Sequence, residues 1–343
     1  MPITADFELQ AGQESTAAWG TQVAPTVLLA GIQDVDISPI VDVQRITDEM
    51  TGTRIPSRQS LVHMVGGEGT ISGLLSYDDF PYILQGLFGR ADSDSTAKIG
   101  FSSDTDGIEA TKVWGAPVKS SDTEDAISYT LLHGDGTNWY SLNGATVNSM
   151  NITGESGAPL EFSVDFIGMS VTSDMPADLS NRVVTYAMGN HVRLYIGNST
   201  DAPGAATNAT SDIGWSFDLT IDANREPKRH LNDLTPTDYR EGKMDGTLSL
   251  SLEMTSDTEP HIDDIISATK EGVEKNIRIA ARSGNSDSIF LDFSGVLMGD
   301  PGIFEDVDGT VSIDLELEAQ LGSNNVASDW FSATVQNAVE ALV

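Results

Sequence analysis

Two short acidic clusters come closest to a metal loop. Asp104-Thr-Asp106-Gly and Asp306-Val-Asp308-Gly each match the third, fifth and sixth positions of a calcium loop. Such a loop also needs an acid at its first position and a bidentate Glu at its twelfth. Here the twelfth positions are Val113 and Leu315, so both clusters read as hairpin turns. His63, His133, His191, His230 and His261 are widely spaced and form no zinc-binding pattern. No G-x-S-x-G nucleophile elbow occurs, and GGEGTISG lacks the Gly-Lys-Ser/Thr ending of a phosphate loop. Carboxylate pairs are plentiful, yet nothing marks one pair as a glycosidase dyad. Trp19, Trp114, Trp139, Trp215 and Trp330 could make a sugar platform, but isolated Trp residues are more often core anchors. With no cysteine, thiolate catalysis, disulfides and Cys-ligated metals are excluded. The expectation is a chain with no catalytic residues, no bound metal and no cofactor.

The balance of charge is lopsided. Asp and Glu total 52 against 18 Lys and Arg, a formal net charge of −34 over 343 residues. Such a surface repels nucleic acid, and a sequence-specific DNA binder would need clustered Lys and Arg. Molar salt screens the self-repulsion within about 3 Å, so the acidity reads chiefly as adaptation to a saline, halophilic setting. The hydrophobic share of 39% is enough for packed cores. No run approaches the roughly 20 apolar residues of a membrane span, and no basic-then-apolar leader opens the chain. A soluble protein made inside the cell is expected. The Asn-x-Ser/Thr triplets at Asn151, Asn198 and Asn208 matter only if the host glycosylates.

The elements that carry these residues are mainly β. Leu160, Phe162, Val164 and Phe166 alternate with Glu161, Ser163 and Asp165; Val311, Ile313, Leu315 and Leu317 alternate with Ser312, Asp314 and Glu316. Residues 215–221 and 247–253 behave alike. Period two with one apolar face indicates half-buried antiparallel strands, and HGDGTN and GESGAP read as the turns between them. Helices are expected at 77–88, with an acidic start, at 257–271, with Pro260 in the first turn, and over the C-terminal stretch 327–342.

The chain also repeats itself. Residues 66–89 read like 243–269, each a Gly-Thr strand followed by a short amphipathic helix, with Gly69 matching Gly246. A long alternating strand follows in both, Leu160 matching Val311. Residues 91–126 are Asp/Ser-rich and occur only in the first copy, so they read as a solvent-facing insertion. Two domains are expected, 1–180 and 181–343.

Basic residues are not scattered. Arg45, Arg54 and Arg58 fall in 43–63; Arg225, Lys228, Arg229, Arg240 and Lys243 fall in 223–243, the equivalent place in the second copy. An Arg-bearing arm on an acidic chain suits a carboxylate-rich partner, most simply another copy, because the guanidinium fork binds carboxylates in two places. Local acids such as Asp48, Glu49 and Glu226 offer the alternative partners.

ESTAAWGTQVAPTVLL (14–29) resembles the opening of tail tube (major tail) proteins of long-tailed, non-contractile viruses. WYSLNGATVNSMNITGESGAPLEFSVDFIGMSV (139–171) resembles that family's strand pair. The resemblance implies two tandem tail-tube-type β-sandwich/barrel domains, each with a short flanking helix. It implies a structural virion protein rather than an enzyme, found in the tail and assembled in the host cytoplasm. Six such domains make a ring, so three doubled chains would make a pseudo-sixfold one, with inner strands joined into one barrel. A long loop of the family reaches the adjacent ring, where the eight basic residues would act. Partners would be further copies and other tail proteins at the tube ends. Viral DNA would pass without specific binding, with Glu161, Asp165, Asp314 and Glu316 as candidate lumen-facing acids. An adhesin-type surface β-sandwich and a secreted β-sandwich glycosidase are the competing readings.

Overall fold

A computed structural model describes residues 7–14, 19–45, 60–89, 102–103, 110–116, 126–201, 214–255, 258–260, 263, 272–283, 287–307, 310–321 and 330–337. The first half comprises β1 (Glu8–Gln13), β2 (Val27–Leu28), β3 (Ile32–Arg45), β4 (Ser60–Leu74), α1 (Phe80–Phe88), β5 (Ser102–Ser103), β6 (Ala110–Gly115), β7 (Tyr129–Gly134), β8 (Trp139–Glu155), β9 (Glu161–Gly168) and β10 (Ser170–Ser173). The second half comprises β11 (Val192–Asn198), β12 (Gly214–Asp222), β13 (Glu226–Lys228), β14 (Asp238–Arg240), β15 (Asp245–Glu253), β16 (Glu274–Ser283), β17 (Asp287–Val307), β18 (Thr310–Ala319) and β19 (Phe331–Asn337). No helix among these residues is long and apolar enough to cross a membrane.

One antiparallel run organises the molecule: β3–β4–β9–β8–β12–β15–β18–β17. Its inward positions are the expected apolar ones. Phe162, Val164, Leu219, Ile221, Leu248, Leu250, Ile313 and Leu317 are all buried in one core cluster. Polar residues alternate onto the opposite face, as a one-sided sheet requires.

The long strands β8 and β17 serve two layers. The first part of β8 pairs with β7 and β10, and the remainder with β9 and β12. The first part of β17 pairs with β16 and β19, and the remainder with β18. Register shifts between Val147 and Ser149 and between Met298 and Gly302 mark these passages. Bulges bend a strand and sharpen its twist, which lets one strand leave a layer for another. At Gly144 the backbone has φ +70°, and a Cβ there would press on Gly20 and Trp19.

The pairing repeats within the chain. Thr70 faces Asp36 and Asp165; Thr247 faces Thr220 and Glu318. With Gly69 matched to Gly246, the register sets Val164 level with Leu317. The sequence match of Leu160 to Val311 would have set it level with Leu315, so that part of the alignment is corrected. Bulges and unequal turns shift the two copies, and an alternating pattern looks the same after a slip of two.

Helix α1 starts three residues later than the sequence suggested. Ser76 Oγ accepts the N–H groups of Asp78 and Asp79 at 3.2 and 3.0 Å, holding that acidic start in a turn. Pro81 sits in the first helical turn and Gly89, at φ +89°, closes the last. Gly86 lies against Val147 and Tyr129, where a Cβ would stand 2.8 Å from the Val147 side chain, so the helix rests closely on β8. The expected 257–271 helix falls mostly outside the described residues.

Two expectations fail. The C-terminal stretch read as a helix forms β19, filed between β17 and β6. Phe331, Ala333, Val335 and Asn337 all point inward at 0% exposure. The segment 91–126, read as a solvent-facing loop, contributes β6, and its Trp114 is 1% exposed. Two-sided strand pairing overrides local pattern in both cases.

Glu14, the first residue of the N-terminal Glu-Ser-Thr phrase, has a physical role. Glu14 is buried, and its carboxylate accepts four hydrogen bonds. They come from Ser128 Oγ, Thr130 Oγ and the backbone N–H groups of Gly20 and Gly144, at 2.8–2.9 Å. Trp19 Nε1 donates to Thr146 Oγ1 at 3.2 Å. These contacts bind the opening segment to β7 and β8.

Candidate functional site

The polar face of the eight-stranded run is the first candidate. Its strands β4, β8, β9, β12, β15, β17 and β18 contain no Lys or Arg, and β3 contains only Arg45, at its end. Glu161, Asp165, Asp314 and Glu316 are exposed on this face. Glu161, Asp218, Asp314 and Glu316 share one open groove of about 850 Å³ with Thr153, Ser249 and Ser251. Glu161 lies opposite Leu74 and Asp314 opposite Ser251, equivalent positions in the two copies.

Neutral hydrogen-bond donors hold several of these carboxylates. Asp165 accepts from Thr70 Oγ1 and Ser149 Oγ, each at 2.8 Å. Asn151 Nδ2 donates to Asp218 Oδ1 at 2.6 Å and to Thr220 Oγ1 at 2.9 Å. Partial desolvation, then the charges of Asp245 and Asp165, raise the Asp222 carboxyl above its ordinary range. Repulsion among like charges is thus built into the face, and cations that would cancel it are absent from its strands.

The second candidate is the arm 223–243. Strands β13 and β14 pair as a separate two-stranded ribbon. Arg240 pairs with Glu226, and Lys228 Nζ lies 3.7 Å from Asp238. Local acids are therefore among the partners of this arm's charges. Lys243 is exposed, and its carbonyl accepts from Asn224 Nδ2 at 2.9 Å. Arg229 Nη2 donates to the Val65 carbonyl at 3.1 Å, while the Val65 N–H donates to the Leu234 carbonyl at 2.9 Å. These bonds dock the arm on β4, the strand that follows the first arm.

Arg225 points inward. Its side chain is 2% exposed and donates to the carbonyls of Gly86, Leu87 and Val147. Gly86 and Leu87 end α1, where unsatisfied carbonyls and the helix dipole favour a cation. Burial lowers the guanidinium's proton affinity, and Glu241 at 3.5 Å partly offsets this. Its own N–H donates to Asn148 Oδ1 at 2.7 Å, using the residue at the β8 bulge. Arg45 closes β3, and Arg54 and Arg58 lie outside the described residues.

The apolar side of these arms was missed in the sequence. Val41, Val43, Leu61 and Val62 on the far half of the β3–β4 hairpin are 46–54% exposed, and Leu231 and Leu234 project from the second arm. Alternation does mark Val41 and Val43, but it cannot say that their strand outruns the core. The tryptophans form no platform. Trp114 and Trp139 are buried, Trp330 packs edge-on against Phe293, and Trp19 packs against Tyr239. Among the described residues, no three His, Asp or Glu side chains converge as metal ligands.

An acid-faced antiparallel wall with two projecting ribbons offers surface for assembly rather than a reaction centre. No curated protein matches the chain. A family model described as phage tail tube protein matches residues 4–319. The chain therefore belongs to the phage tail tube protein family, a structural and non-enzymatic one whose place is the tail of the virion.

Proposed function

We propose that the chain polymerises as stacked trimeric, pseudo-sixfold rings into the tail tube, the conduit through which viral DNA is delivered. Residues 1–180 and 181–343 are then the two tube domains of each subunit. The observation that carries this reading is the eight-stranded run, in which the second half repeats the strand pairing of the first without a break. Three such runs supply the wall of one ring. Ring closure covers strand edges, and heterologous contacts between rings extend into a filament.

Glu161, Asp165, Asp314 and Glu316 then face the lumen. Phosphates are repelled from such a wall, and the DNA passes without being held. The tube ends meet other tail proteins, and assembly takes place in the host cytoplasm. The arms make the contacts between rings, through Arg45, Arg54, Arg58, Lys228, Arg240 and Lys243. Arg225 and Arg229 hold the second arm to the body of the subunit. The low Lys and Arg content suits a halophilic host, where salt screens the remaining repulsion.

Negative-stain microscopy of the purified chain across a range of salt concentrations tests the reading. Tubes or threefold rings are expected. Dispersed monomers at every salt concentration would sink it.

A further inference from the structure

The run β3–β4–β9–β8–β12–β15–β18–β17 begins and ends on edges that lack a second partner. Among the described residues β3 pairs only with β4, and beyond Leu297 β17 pairs only with β18. Unpaired edges of this length invite another strand. The chain contains a template for that partner at its own centre, where the edges of β8 and β12 meet. By position in the repeat, β3 corresponds to β12 and β17 to β8.

We propose that β3 of one chain pairs antiparallel with β17 of a second copy, in the register that β12 and β8 already use. This rests on the tube reading and adds to it the identity and alignment of the subunit seam. The register follows residue by residue. Asn151 faces Thr220 across the internal seam. Met298 is opposite Glu316 as Asn151 is opposite Ser163, and those two partners are themselves equivalent. Asp36 is opposite Thr70 as Thr220 is opposite Thr247. Asp36 of one copy therefore faces Met298 of the next. The same steps set Asp34 opposite Gly302, which corresponds to Thr153. Neither Asp is placed opposite a carboxylate, an arrangement that would oppose pairing.

Burial agrees. Leu219 and Ile221 of β12 are 0% exposed at the internal seam. Their counterparts Val35 and Ile37 on β3 are only half-buried. A strand of a second copy would cover them as β8 covers the first pair.

The two edges also stop within two residues of each other. At the internal seam the last bond runs from the Ala223 N–H to the Asn148 carbonyl at 2.8 Å. The residue equivalent to Ala223 is Pro39, which has no N–H to give. On the other edge the Leu297 N–H is already donated to the Val273 carbonyl at 2.9 Å. The seam between copies is accordingly confined to the Ile32–Asp36 part of β3 and the stretch of β17 from Met298 onward.

The chain has no cysteine, so introduced pairs report cleanly. Directly opposed residues bring their Cβ atoms within about 4.5–5.5 Å and diagonal ones to about 7–8 Å; a disulfide needs roughly 3.5–4.5 Å. The double variant Asp36→Cys/Met298→Cys should give a covalent ladder of subunits on a non-reducing gel of assembled material. Asp34→Cys/Met298→Cys and each single variant should not. On the unaltered chain, hydrogen exchange should show the segments 34–36 and 302–304 protected by at least about tenfold on assembly. Assemblies that lack the first cross-link, or that cross-link faster through the second pair, would overturn the register and leave the tube reading intact. Assemblies with no gain of protection in these segments would overturn the seam itself. Failure to assemble at any salt concentration would overturn both.

Discussion

The guanidinium of Arg225 donates to the Leu87 carbonyl at 2.6 Å, so a residue of the second arm closes the last turn of α1. This ties α1 to the start of the arm and, through Asn148, to the bulge of β8. Arg225→Ala would leave buried carbonyls without donors and is expected to lower stability by about 2–4 kcal/mol. Arg225→Lys should recover only part of this, because an ammonium cannot span carbonyls that a planar fork reaches together. Arg240→Ala, removing an exposed pair with Glu226, should change stability by less than about 1 kcal/mol. Urea unfolding of the three variants measures the contrast, and equal losses at Arg225 and Arg240 would refute it.

Glu14 is a second internal anchor. Its two oxygens accept from two hydroxyls and two backbone N–H groups. Glu14→Gln exchanges an acceptor oxygen for an NH₂ group that meets a donor. The expected loss is about 1–3 kcal/mol, with the opening segment detaching first. Proteolysis near residues 19–24 should quicken before global unfolding does. An unchanged cleavage rate would count against the assigned role.

The acid face predicts a pH dependence. The carboxyl of Asp222 is raised, by desolvation first and by Asp245 and Asp165 next. For a raised group the contribution to stability is fully present below the ordinary carboxylate pKa and is lost as pH rises through the folded value. Asp222→Asn should therefore melt higher than the parent at pH 7, and the difference should shrink toward pH 4. Added salt should shrink it too, since repulsion from the neighbouring acids is screened. Thermal melts at two pH values and two salt concentrations decide it; a variant less stable at pH 7 would contradict the sign.

Charge on the same face should govern contact with DNA. Tubes of the Glu161→Lys/Asp314→Lys variant should retain short duplex DNA at low salt and release it as salt is raised. Parent tubes should retain none. A Lys substitution at an exposed residue outside these strands, such as Asp178, serves as the comparison. Equal retention by the two Lys variants would mean that the Glu161 face does not line the bore.

Much of the wall was legible as sequence because alternation is strong where one face is apolar and the other acidic. Strands β9, β12, β15 and β18 fall where Phe162, Phe217, Leu250 and Leu315 alternate with polar neighbours. The HGDGTN turn was legible as well: Asp135 Oδ1 accepts from the N–H groups of Thr137 and Asn138, and Gly136 sits at φ +75°. The C-terminal strand was not. Its inward set includes Ala333, too small to signal, and Asn337, a polar residue whose amide donates to the Tyr77 carbonyl at 2.6 Å. Phe331 and Val335 also stand four apart, which suits a helix equally well.

The arms were legible as clusters of charge, but not as two kinds of Arg. Nothing around Arg225 in the sequence announces its burial, because its partners are backbone carbonyls and any residue type carries one. Bulges hid the register for a similar reason. One extra residue at Asn148, or two within Gly299–Pro301, leave the apolar alternation intact on either side and shift only what lies opposite.

Because β8 and β17 each pass from one layer into the other without a break, the two layers share a backbone rather than merely touching. A push on the acid-faced wall is carried into the second layer along covalent bonds, which stretch far less than side-chain contacts slide. The subunit should therefore resist ovalisation as a ribbed shell does, with β8 and β17 as its ribs.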